Sequence, residues 1–260
     1  MTDYSKKGKC IWCLKEKPDV TFNNAPHTIS RQLQATNIGF DICDSCNDYF
    51  GKKDKTKVYP MTIELAFKEI MGLMQLLLSS NLNDKTYTNY KSAYFSYYHT
   101  KRKIKVRKSF ELKPNFLWSL TRQFKRGIYE IFLQEYHRII LNGLDERFNS
   151  IRQFVREDKG DLPIYFLEST GVYFVEENQS NPSLTFSEKA LADINDYGFY
   201  SLWLFGNIFF LEVTPRAEFS REIFLRQESS KLIGSGFIYS QLKELNLITD
   251  LDFTMRKLYG

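Results

Sequence analysis

Apolar residues fall at helical spacing over two long stretches. Leu65, Ile70, Leu73 and Leu77 recur along Thr62–Leu78, and Phe116, Leu120, Phe124, Ile128, Phe132 and Ile139 recur along Pro114–Leu141. A period near 3.6 predicts a helix with one core-facing stripe in each. Asp145–Asp158 and Ser187–Asn195 read as further helices, and Ser240–Leu247 as a short C-terminal one. From Leu162 the pattern turns to runs of aromatic and β-branched residues (PIYFLES, GVYFVEE, FYSLWLFGNIFFLEVT), which predict strands, with Gly206-Asn207 at a hairpin turn. Ile104 and Val106 alternate with basic residues and predict one more strand. Near the N-terminus the signals are shorter: β-prone runs at Val20–Phe22 and Ile38–Ile42, then a helix opening at Asp44 or Ser45 and stopping at Gly51. The expected class is α+β. Residues 1–58 form a compact module, 59–160 a mainly helical segment and 161–260 a β-rich lobe. Trp203, Phe205, Phe209 and Phe210 are expected in the sheet core, with Tyr94 and Tyr98 buried beneath the basic run.

Composition changes this picture little. Of 260 residues, 43% are hydrophobic and 26% charged, as in ordinary globular domains. No run of 18 apolar residues occurs and the first ten residues hold no hydrophobic signal core, so a soluble cytoplasmic chain with no membrane partner is expected. Charge is more telling. Residues 1–110 carry 19 Lys and Arg against 10 Asp and Glu, whereas the remainder carry 17 against 21. That excess of positive charge suits a polyanionic partner.

The chemistry concentrates between Cys10 and Gly51. All four cysteines lie here as two Cys-x-x-Cys knuckles, Cys10/Cys13 and Cys43/Cys46, with 29 residues between the inner pair. In a reducing compartment this spacing points to a four-thiolate zinc site and not to disulfides. Such a site is closed, so its role is structural. Of three histidines, His27 sits between the knuckles, His99 heads the basic run and is expected to be solvated or phosphate-facing, and His137 falls within the long helix as an ordinary packed or surface residue. A histidine titrating near neutrality can take a proton from water, as phosphodiester hydrolysis requires.

Cys-x-x-Cys, an intervening histidine, then Cys43-x-x-Cys46-Asn47 with Phe50-Gly51 resembles the four-cysteine branch of the HNH endonuclease family over about residues 10–55. The resemblance implies a zinc-stabilised ββα-metal module with His27 as general base and Asn47 as a ligand of a catalytic magnesium or manganese ion. It implies cleavage of DNA to a 3′-hydroxyl and a 5′-phosphate, and bacterial members often serve in restriction or anti-phage defence. The position before the histidine, often a metal ligand in the family, is Pro26, and the nearest counterpart of the middle asparagine is Asn37. Asp41, Asp48 and Asn24 are the nearby side chains offering substitute ligands. The alternative is a catalytically inactive zinc module that binds nucleic acid or scaffolds a complex.

Two basic groups extend the expected nucleic-acid surface: Lys52 and Lys53 just after the module, and Lys101, Arg102, Lys103 and Lys105 beside a run of tyrosines. Lysine and arginine neutralise phosphates while tyrosine can stack on bases. The β-rich lobe carries no reaction motif and is expected to serve a partner protein or a second copy.

Overall fold

The computed structural model describes residues 2–33, 35–53, 55–56, 58–78, 92–98, 103–107, 113–169, 183–234 and 240–251. Its axis is helix α3 (Pro114–Ile140), 27 residues and about 40 Å long. Pro114 sits in its first turn, where a missing N–H costs nothing, and Leu141 ends it in a left-handed conformation with its N–H on the His137 carbonyl. The predicted apolar stripe is buried at Phe116, Leu120, Phe124, Ile128 and Phe132, but Ile139 is 42% exposed in the last turn. The helix is enclosed well beyond that stripe: every residue from Gln123 to His137 is buried.

Around it stand α1 (Asp44–Gly51), α2 (Ile63–Leu78), a hairpin of β1 (Phe95–Tyr98) and β2 (Lys103–Val106), and α4 (Asn149–Glu157). Then come β3 (Ile164–Ser169), α5 (Glu188–Asp196), β4 (Phe199–Leu204), β5 (Asn207–Glu212), α6 (Ala217–Gly234), β6 (Ser240–Glu244) and α7 (Ile248–Leu251). Four strands form one antiparallel sheet in the order β4-β5-β3-β6. Alternation along it is two-sided. Ile164, Phe166, Phe209 and Leu211 join the main core with α3, whereas Tyr165, Phe199, Ile208 and Phe210 form a second cluster with Phe224 of α6. The main core runs from Cys10 to Leu251, so residues of the N-terminal, central and C-terminal segments share it.

Several expectations are corrected. The β4–β5 turn is Phe205-Gly206, both at positive φ as a two-residue hairpin turn of this hand requires, one residue earlier than predicted. Ser240–Glu244 is a strand and not a helix, because it pairs with β3 over five residues. Helix α6 has little signal in the sequence: its polar residues give a weak period, and its burial comes from Phe224 stacking on Phe199 at 4.4 Å. Trp203 is 63% exposed, since it faces the α6 side of β4 beyond the reach of that cluster. Tyr94 is buried as expected but Tyr98 is 47% exposed at the end of β1. The run 171–177 and the tyrosines at 87 and 90 lie outside the described residues.

Polar pairs lock the N-terminal module onto α3 and α4. Asp41 is fully buried and accepts from the backbone N–H groups of Lys6, Lys7 and Gly8 and from His137 Nε2 at 3.0 Å. His137 Nδ1 accepts from the Gly143 N–H, fixing its proton on Nε2. Gly143 is required there, because a Cβ would lie 2.7 Å from that of His137. Glu135 accepts from Thr28 and Arg138 and Arg152 donates to the Ile11 carbonyl.

Burial raises the Asp41 carboxyl, but His137 and the three amides outweigh it and hold it below the usual range. Asp41→Asn should therefore destabilise the protein by on the order of 3 kcal/mol at pH 7, read as a lower urea midpoint. The stabilisation is complete above the unfolded value of about 3.9 and is lost as pH falls through the lower folded one, so the two proteins should converge in acid. Equal midpoints at pH 7 would remove Asp41 from the framework.

Candidate functional site

The two knuckles meet. The Sγ atoms of Cys10, Cys13, Cys43 and Cys46 lie within 4.8 Å of one another, and among the described residues this is the one such group of histidine, cysteine and acidic side chains. Cys13 and Cys43 are 3.7 Å apart, far beyond a disulfide bond. Four sulfurs at about 2.3 Å from a tetrahedral zinc stand about 3.8 Å from one another, so the thiol set could hold that ion. The surroundings suit ionised sulfur. The Cys43 N–H points at Cys10 Sγ, and Arg156 of α4 donates to Cys46 Sγ at 3.3 Å while lying over the Tyr49 ring. Crowding alone splits the thiols: hydrogen bonds from Cys10 above all draw Cys13 down to about 6 and Cys43 lower still, whereas Cys10 and Cys46 are pushed up. Four thiolates coexist only around a cation.

His27 lies on the segment between the knuckles. It forms a single antiparallel bridge with Ile38, supported by Thr28 N–H to the Asn37 carbonyl and Gly39 N–H to the Pro26 carbonyl. The predicted β-prone runs thus shrink to one bridge, and α1 follows as expected from Asp44. Asp44 accepts from the N–H groups of Asn23 and Asn24 and ties the incoming loop to the helix start. Asn37 Nδ2 points to Glu135 Oε2 at 3.4 Å, which fastens the turn to α3.

A cleft of about 300 Å³ opens beside this bridge. His27 and Asn47 both line it, although they come from different elements. So do Arg31, Gln32, Glu64 of α2 and Glu130 of α3. Arg31 Nε donates to His27 Nε2 at 2.6 Å, which puts the ring proton on Nδ1, a buried atom with no partner among the described residues. Burial first and the Arg31 charge second lower the His27 pKa, so the ring is neutral at pH 7. Burial raises the Glu64 carboxyl, although it opens to solvent along the cleft. It raises that of Glu130 much further, with Glu64 adding to the effect.

The other sequence candidates fall elsewhere. Asp41 is consumed by four donors in the interior, and neither Asp48 nor Asn24 lines the cleft. His137 is wholly buried, a framework residue. Lys52, Lys53 and Lys105 are exposed. Lys101, Arg102 and His99 lie outside the described residues, as does the side chain of Lys103. Sequence reasoning missed Glu64 and Glu130, which sit on helices whose apolar stripes gave no reason to single them out.

Compared with family models, curated proteins and solved structures, the chain matches none. No helix among the described residues is long and apolar enough to cross a membrane.

The thiol geometry leads us to expect about one zinc per chain by elemental analysis. Cys10→Ser should lose the metal and unfold the module. Trp12 reports this well, being buried while Trp118 and Trp203 are already exposed. Its emission should shift to the red in that variant; retained zinc with an unshifted spectrum would contradict the assignment.

Proposed function

We propose that this chain is a zinc-stabilised, metal-dependent nuclease of HNH type that hydrolyses phosphodiester bonds in DNA. The observation that supports the reading most is the convergence of His27 and Asn47 in one cleft beside a closed four-thiol site. A zinc ion held by all four thiols would have no coordination position left for water, so its role would be to hold the ends of the His27 segment. A magnesium or manganese ion bound at the cleft would supply charge stabilisation for the scissile phosphate and the leaving oxygen.

The protein's own part is to orient and to move a proton. His27 is neutral and takes a proton from the attacking water through Nε2, while Nδ1 keeps the proton it holds at rest. Nε2 must first be released from Arg31. A scissile phosphate competes for that guanidinium, because charge-assisted bonds to phosphate oxygens are stronger than one to a neutral imidazole. Asn47, on the helix that follows the second knuckle, offers an amide oxygen as ligand for the divalent ion. Lys52 and Lys53, exposed just past α1, add phosphate contacts on the flanking backbone.

The Arg31–His27 bond also favours a second reading, in which the cleft holds phosphate without cutting it. One experiment separates the two. Plasmid DNA and RNA are incubated with the purified protein in magnesium, manganese or chelator. Wild type should cut with metal, and His27→Ala should still bind but cut at least about 100-fold more slowly. The rate should rise with pH through a midpoint below the ordinary histidine value of about 6.5, since only the neutral ring accepts the proton. Wild type inert with every metal and substrate, while still binding DNA, would leave the binding-only module.

A further inference from the structure

We infer that Glu64 and Glu130 are the carboxylate ligands of the divalent ion at the His27–Asn47 cleft, in place of the side-chain ligand that Pro26 cannot supply. This rests on the nuclease reading for its purpose but on different atoms for its evidence.

The first support is backbone geometry. Helices α2 and α3 cross in near contact at Gly127, where a Cβ would lie 2.9 Å from Phe67 Cβ and 3.4 Å from the Ile63 carbonyl. Glu64 follows Ile63, and Glu130 lies one turn past Gly127, so the crossing brings both residues to the lining of the cleft. Glu64 also approaches α1: a Cβ on Gly51 would stand 3.4 Å from its Oε2. Gly51 is one helical turn beyond Asn47, on the same face. Three elements thus bring Glu64, Glu130 and Asn47 to the same space.

The second support is what Glu130 lacks. It is only 5% exposed, yet among the described residues its one hydrogen bond runs from the neutral amide of Gln134 to Oε1. Oε2 accepts none from those residues, and neither acid is ion-paired with any of them. A carboxylate this buried is costly unless a cation or a proton compensates it. The buried Glu135, five residues further along α3, shows the usual remedy, a bidentate arginine. Glu130 opens instead onto a cleft holding a second carboxylate, an amide and an imidazole. The carboxylate and amide oxygens of this set suit magnesium or manganese.

The full chain, loaded with zinc so that its thiols are occupied, is titrated with manganese(II), and free ion is read by electron paramagnetic resonance. Wild type should bind one ion per chain. Glu64→Gln and Glu130→Gln should each weaken that binding by about tenfold or more, with zinc content unchanged. Glu64 is open to solvent, so Glu64→Gln decides the matter if Glu130→Gln fails to fold. Wild type that binds no manganese, or Gln variants that bind it as wild type does, would overturn the inference. Were DNA cut in a His27-dependent way while Gln variants kept full manganese binding, the nuclease reading would stand and this one would fall. Loss of manganese binding in the variants of a protein that cuts nothing would leave the ion site standing and the nuclease reading refuted.

Discussion

The fold depends on enclosing α3 on all sides although its buried length carries Lys125, Arg126, Glu130, Glu135 and His137. A buried charge without a partner is worth several kcal/mol against folding, so each neighbour of the helix must bring a complementary group. Lys125 meets Asp161, Arg126 meets Tyr49 and the Val155 carbonyl, Glu135 meets Arg138 and Thr28, and His137 meets Asp41. Apolar packing gathers these elements, and the polar pairs decide their register. Glu130 departs from the pattern, and of these five it is the one that lines the cleft.

Local signals in the chain were sufficient for much of this. Knuckle spacing located the thiol set, and a 3.6-residue period located α2 and α3 to within a residue or two at each end. Aromatic alternation found the β4–β5 hairpin, with its turn off by one. What escaped were features without a local signature. A stripe of phenylalanines says that one face of α3 is buried and is silent on the faces covered by distant polar partners. The exposure of Trp203 and Tyr98 depends on where a neighbouring element ends, which no property of the residue itself encodes. Glu64 and Glu130 gain meaning only from the helix crossing at Gly127.

The candidate site divides along the same line. Its thiol half is a matter of spacing within the first 46 residues, and the sequence states it openly. Its cleft half is assembled from the His27 segment, α1, α2 and α3, so its wall belongs to the core of the whole chain. Between the knuckles the segment makes one bridge, not a pair of strands, and it is braced against α3 by Asn37 and Thr28.

The long reach of the bonds to Asp41 and Ile11 has a consequence for synthesis. All four thiols have been translated by residue 46, but the side chains that complete the module, His137 and Arg152, lie 96 and 141 positions beyond their partners. At roughly 5–20 residues per second, the nascent module waits several seconds or more for them. Through that interval Asp41 has no imidazole, and the segment has only its own contacts to call on, the thiol set and the backbone bonds of Lys6, Lys7 and Gly8 to Asp41 among them.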